Sequence, residues 1–428
     1  AETMDPRLTV ELDCFNLESN LRHGPLAGRP FTALAAECHD ALAEMRRAAG
    51  LHGGRVVTIG ILPTLERGSL EGAAMGEGLR YRALSAGLRR LRAEPFSLDI
   101  HGEDDLRLDD CHDVTYEGAA TSFQVHLRVS PAAFARTYNA IQLATPAVLA
   151  AAGNSPTFLG RRLWEETRIA LFKQAVDHRG ARGADGAPAR VSFGRGWIRD
   201  AFELFEDCVR RHPPLLPVLD VEGPEAALAA GLTPALRELR LHQGTVWGWN
   251  RAIYDPAEGG HLRVELRSLP SGPSVPDMLA NAAFHVGVGL ALAPDAEAWC
   301  AGASFEAVHA SFYAAAREGL GASLPWPREP GAALEPRPAP ALIEALLPLA
   351  QRGLDTAGVA RADSAPLLAT LERRVRSGRT GAAWQRAALA AAEAAGRTRR
   401  EALVWMLERY LEAAESGEPV DRWPEPRA

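Results

Sequence analysis

Three short stretches of the 428-residue chain set charged or polar side chains at alternate positions, the spacing that puts them on one face of a strand. In "ELDCFNLES", Glu11 and Asp13 share one parity and Asn16 and Glu18 the other; a bulge between them would bring all four to one side. In "TSFQVHLRV", Gln124 and His126 stand opposite Phe123, Val125, Leu127 and Val129. In "HLRVELRSL", Arg263, Glu265 and Arg267 oppose Leu262, Val264 and Leu266. A sheet face that gathers Glu, His, Glu and Arg from separate strands can hold a divalent cation and phosphate. Carboxylate oxygens suit Mg2+, imidazole can complete the shell, and guanidinium pairs with phosphate oxygens bidentately. The plainer readings are a solvated "RVELR" face with cross-strand ion pairs, a structural His126 and a surface Glu11.

These strands need a scaffold, and the rest of the chain supplies one. Residues 8 to 18 read as a strand, "PFTALAAECHDALAEMRRAAGLHG" as a helix with a Gly stop, and "RVVTIGILP" as a buried strand ending at Pro63. A helix is expected through "LRYRALSAGLRRLRAE", then short strands at "FSLDIHG" and "DVTYEGAATSFQVHLRV" around an acidic turn, then helix over 131–152. A Gly/Ala-rich loop is expected at 180–189 and a helix at 198–211. The turn "PAEGG" joins "GTVWGWNRAIYD" to "HLRVELRSLP" as a hairpin. Hairpins recurring between helices predict an α+β fold with an antiparallel sheet rather than alternating βαβ units. The Pro-rich stretch suggests a division into an α+β body (1–325), a connector (326–341) and a helical C-terminal region (342–428).

Composition excludes several classes. A hydrophobic content of 47% with 24% charged residues is ordinary for a soluble globular protein. The net charge of -7 gives no reason to expect a nucleic acid partner. The five cysteines are scattered and form no CxxC pair, so neither a disulfide framework nor a zinc knuckle is expected and a reducing cytoplasm fits best. The apolar run "AAFHVGVGLALA" is expected to be too short to span a bilayer and, carrying His285, to form a buried helix. No basic-then-apolar leader opens the sequence. The acidic run over 102–113 lacks EF-hand spacing and reads as a solvated hairpin end. There is no phosphate loop, and "GNSPTFLG" lacks the GxSxG of a serine nucleophile.

Taken in order, "FNLESN", "RVVTIGILPTL", "LRYRAL", "SFQVHLRV", "GNSPTFLGRRLWEETRIALF", "WGWNRAIYD" and "LRVELRSLPSGP" resemble the glutamate–cysteine ligase type 2 family of carboxylate-amine ligases over most of residues 8 to 295. The segment "RVRSGRTGAAWQRAAL" is similar to that of one bacterial branch. The resemblance implies a fold like glutamine synthetase and the guanidino kinases, with a curved antiparallel sheet forming a funnel and helices on its outer side. It implies ATP-dependent activation of a carboxylate as an acyl phosphate, followed by attack of an amine. ATP with Mg2+ or Mn2+ would be the cofactors, and a small amino acid and an amine the substrates. Carried onto this chain, Glu18, His126 and Glu265 would be metal ligands, with Glu11 or Asp13 a further one. Arg267 and Arg251 would meet nucleotide phosphate or the acyl phosphate, and Arg168 and Arg80, with Tyr81 beside them, a substrate carboxylate. Gln124 stands where the family's HVH strand has its first histidine, on the amine side or at a second metal. The family's opening strand carries a Glu-x-Glu pair, whereas "AETMDPRLTVELD" holds only Glu2 before the second strand. Either residues lie upstream or the metal site is incomplete.

Two other classes stay open: a catalytically silent relative that binds nucleotide or amino acid as a sensor or assembly subunit, and a helical interaction scaffold. A homo-oligomer is also compatible with the sequence. In "SGRTGAAWQRAAL", the turn at Arg379 and Thr380 either reaches over the funnel or is a helix start packed by Trp384.

Overall fold

A computed structural model describes residues 5–92, 94–179, 188–216 and 223–428. It shows a mixed α+β chain in which helices dominate. The largest sheet among the described residues is antiparallel and three-stranded, with His261–Leu266 between Asn250–Asp255 and Val125–Val129. The register aligns Arg251 with Glu265 and Glu265 with His126, so three chemically active side chains form a row across it. The hairpin turn uses Gly259 and Gly260 at φ of 81° and 89°, a region that a β-carbon makes costly. Along Val125–Val129 the apolar residues face inward and His126 and Arg128 outward. Thr121 and Phe123, expected in this strand, precede it; their N–H groups donate to the carbonyls of Gly60 (2.9 Å) and Leu269 (3.0 Å) in loops.

The other described strands form pairs rather than a wide funnel. Residues 8 to 18 are not one bulged strand: Leu8–Val10 and Leu17–Ser19 fold back on each other, pairing Thr9 with Glu18. The run "RVVTIGILP" forms no strand. Ile59 and Ile61 are buried and Val56, Val57 and Leu62 partly so, but its backbone groups bond outside any sheet: Gly60 N–H donates to the Asn154 carbonyl at 3.3 Å, and the Thr58 carbonyl accepts from Tyr410 of a C-terminal helix at 2.9 Å. "DVTYEG" holds a short helix, Thr115–Gly118, instead of a strand. The acidic run lies in and beside Asp105–Cys111, which pairs with Phe96–His101.

Helices form where apolar spacing predicts them, at Pro30–Gly50, Leu79–Arg92 and Phe134–Ala152. The "AAFHVGVGLALA" run belongs to Val275–Leu292, inside a continuous helical stretch of 28 residues, Val275–Gly302, long and apolar enough to cross a membrane by length and composition. Shortness is therefore not what argues against a span. Protein covers 83% of its most apolar window, and a helix apolar all round is what a large core buries. Ser274 caps it, accepting from the Asp277 N–H.

The main core continues through the Pro-rich stretch. Leu342, Ile343 and Leu346 of Ala339–Thr356 and Leu371 and Val375 of Arg361–Ser377 belong to the same apolar cluster as Phe284 and Val288. At one crossing, Gly287 and Gly353 touch backbone to backbone, and a β-carbon on either would overlap the other helix. Arg374, buried, pairs with buried Asp277 at 2.6 Å and donates to Asn281 at 2.6 Å. A second cluster forms from Gly381–Ala394, Arg399–Glu415 and the C-terminal turn, with Trp384, Tyr410 and Trp423 packed edge to face at 5.1 to 5.9 Å around Ile59.

Candidate functional site

Glu265 is the centre of the row and only 3% exposed. Arg251 donates to it from Nε at 2.7 Å and Nη2 at 3.1 Å, Arg267 from Nη1 at 3.2 Å, and His126 Nε2 stands 3.4 Å from Oε1. Burial alone would raise the Glu265 carboxyl, but Arg267, Arg251 and His126 outweigh it and hold the group down at about 2. Burial pushes His126 below the ordinary histidine value against the pull of Glu265. Arg267 follows the central strand, its N–H bonded to the Trp249 carbonyl at 2.9 Å, and its buried Nε–H has no partner.

The charge of Arg267 also reaches a second group of carboxyls. The N-terminal hairpin sets Glu11, just past Val10, beside Glu18. The Glu18 carboxyl is pushed up to about 8, first by its hydrogen bond with Glu11, then by burial and the Glu11 charge, with Arg267 opposing. Glu117 is raised to about 8 by burial and Glu11, again against Arg267. Asp13, 1% exposed, is raised to about 8 by burial, Glu117, Asp113 and Glu11, and neither of its oxygens has a partner. The Tyr81 hydroxyl is raised to about 12 by burial and then by Glu11 and Glu18, and donates to the Val10 carbonyl at 3.4 Å.

The structure thus brings Glu11, Glu18, Tyr81, His126, Arg251, Glu265 and Arg267 together. Arg80 is exposed beside Gly244 and forms no ion pair with the described residues. Gln124 is exposed just before the strand, donating to Ser122 Oγ at 3.4 Å. Arg168 lies deeper: it pairs with Glu166 at 3.1 Å, donates to the carbonyls of Arg267 and Ser268, and stacks its guanidinium 5.6 Å from the Trp249 ring. All of these contacts are to protein groups. The turn at Arg379 is a helix start, with Thr380 accepting from the Ala383 N–H at 3.0 Å, Trp384 packed, and Arg379 bonded to the Trp423 carbonyl. Glu117 was not singled out by strand alternation because it sits on a four-residue helix. A lone carboxylate among Tyr116, Gly118 and alanines was the signal available.

Carboxyls crowded enough to retain protons near neutrality are an oxygen-rich set that fits a hard cation, since a bound cation would replace the shared protons. The described residues hold no ready-made group of three His, Cys, Asp or Glu side chains at ligating distance. Cationic Arg251 and Arg267, next to the carboxyls, can receive anionic oxygens.

The sequence profile of glutamate-cysteine ligase family 2 matches residues 24–404. The chain belongs to glutamate-cysteine ligase family 2. Family 2 membership implies ATP-dependent carboxylate-amine ligase activity on small-molecule substrates. No curated protein matches the chain significantly. The family 2 match takes in His126, Arg251, Glu265 and Arg267 and runs into the C-terminal helices; the hairpin with Glu11 and Glu18 precedes it.

Proposed function

We propose that the protein joins a small amino acid, through the γ-carboxyl of glutamate or a similar acid, to an amine by way of an acyl phosphate. One observation carries this reading: Arg267 donates to the buried Glu265 carboxylate and its charge also reaches Glu18 and Glu117, while its buried Nε–H is still without a partner. Transfer of the ATP γ-phosphoryl to a carboxylate brings anions together, so fixed cations must lower the repulsion and align the attack. The substrate carboxylate oxygen bonds to the γ-phosphorus as ADP leaves. The amine nitrogen then bonds to the acyl carbon as phosphate departs and the surplus amine proton passes to water. Arg267 and Arg251 orient phosphate oxygens, Glu265 fixes both guanidinium groups, and Arg80 receives a substrate carboxylate beside Tyr81. Glu11 and Glu18, with His126 and Glu265, would hold Mg2+ or Mn2+, which when bound neutralises nucleotide charge.

The test is ADP release with ATP and Mg2+ across a matrix of amino acids and amines, comparing wild type with Glu265→Gln. ADP that requires both an acid and an amine, and falls by about a hundredfold in the variant, supports the ligase. A second reading, nucleotide or amino-acid binding without turnover, is favoured by the pairing of Glu265 with two arginines and by the lack of a ready-made ligand group among the described residues. ATP binding with no ADP in any pairing selects it.

A further inference from the structure

The loop after the central strand carries Arg267, and its backbone is gripped from below. Arg168 donates to the Arg267 and Ser268 carbonyls, and Asn154 Nδ2 donates to the Ser271 carbonyl at 2.7 Å. Arg168 and Asn154 are themselves joined. Glu166 accepts from the Asn154 N–H at 2.8 Å, from Ser155 Oγ at 2.8 Å and from Arg168 Nε at 3.1 Å, and all four residues are at most 2% exposed.

Asn154 has two further attachments, both from the C-terminal helices. Gln385 Nε2 donates to its backbone carbonyl at 3.1 Å and to its Oδ1 at 2.9 Å. The Tyr410 hydroxyl accepts from Asn154 Nδ2 at 2.9 Å and donates to the Thr58 carbonyl at 2.9 Å. The surrounding backbone is fitted to this side chain: a β-carbon on Gly381 would overlap the Asn154 amide, and one on Gly272 would lie 2.9 Å from Nδ2. An amide with both ends engaged has little freedom to reorient.

We infer that Asn154 is a positioning residue through which Gln385 and Tyr410 of the C-terminal helices set the loop that presents Arg267. The inference rests on the ligase reading for its effect on turnover, but not for its effect on the loop. A displaced guanidinium loses rate because alignment of the reacting groups is lost, and the second apolar cluster thereby becomes part of the working site.

Three variants test it. Tyr410→Phe keeps the ring against Trp384 and Trp423 and removes only the hydroxyl; Gln385→Met removes the donor at similar length. Thr398→Ala weakens the cap of helix Arg399–Glu415, whose side chain accepts from the Glu401 N–H, without touching Asn154. Hydrogen exchange over 266–273 needs no substrate. It should quicken roughly two- to tenfold in the first two variants, the worth of one buried hydrogen bond, and stay unchanged in Thr398→Ala. The maximal rate of ADP release should fall about tenfold in Tyr410→Phe and Gln385→Met, with KM for ATP changed less than about twofold. Thr398→Ala should lower Tm and leave the rate intact. Unchanged exchange in the loop overturns the inference, as does a rate that falls equally in Thr398→Ala. Quickened exchange with an unaltered rate also overturns it, reducing the contact to stability. A wild type without ADP release instead sinks the ligase reading and leaves exchange to decide whether Asn154 holds the loop.

Discussion

Glu265 and Glu18 share one neighbour, Arg267, yet their proton affinities are displaced in opposite directions. Glu265 is held at about 2, below its ordinary 4.5, so its stabilising contribution is present above 4.5 and is lost as pH falls through about 2. Glu18 is raised from 4.5 to about 8, so its protonated form favours the fold below 4.5 and that contribution is lost as pH rises through about 8. In chelator, Tm should therefore fall across that second window, and Mg2+ should raise Tm more at its alkaline end than at its acid end. Glu11→Gln removes one of the crowded charges and should flatten the chelator profile; a scan of Tm against pH for both proteins checks this. Glu265→Gln leaves Arg251 and Arg267 short of a buried counter-charge and should cost about 3–5 kcal/mol of stability in urea unfolding besides the rate. Of these residues, His126, Glu265 and Arg267 were legible as members of a strand face because alternation along a strand maps directly onto a face, whereas Arg251 came only from the family resemblance. Glu117 and the pairing of Arg168 with Glu166 were not, because a four-residue helix and a buried ion pair leave no period in the sequence.

Among the elements, the apolar helices and the central hairpin formed where spacing and turn residues placed them. Short apolar runs were less legible. "RVVTIGILP" has the composition of a strand, but its apolar side chains pack against two clusters while Asn154, Thr121 and Tyr410 bond the Gly60 and Thr58 backbone and Pro273 the Thr58 hydroxyl. The N-terminal hairpin was missed because Asp13 to Asn16 looked like strand continuing through a bulge, when Asp13 instead bridges to Met75. Three elements meet at Asp277: Arg374 pairs with one oxygen, and Ser274 Oγ and the Val420 N–H donate to the other. Asp277→Asn should cost about 3–5 kcal/mol by leaving Arg374 buried without its anion. A double variant, Asp277→Leu with Arg374→Met, should recover part of that in the same urea titration, because it removes both charges.

For the whole molecule, composition and hairpin signals were enough to give the α+β class, but not the way the Pro-rich stretch is absorbed into one continuous core. A chain ending at Pro338 would leave the helix Val275–Leu292 without the cover of Ala339–Thr356 and Arg361–Ser377. It should show no cooperative thermal transition by circular dichroism, whereas the full chain should. The Tyr410 hydroxyl that touches Asn154 comes from 256 residues further along the chain, and its other partner, Thr58, is 352 residues away. During synthesis at about 5–20 residues per second, Asn154 therefore waits on the order of 10–50 s for that hydroxyl to be made. The ribosome releases the arginine loop before its brace, so for that interval a nascent chain holds Arg267 without the hydroxyl that touches Asn154.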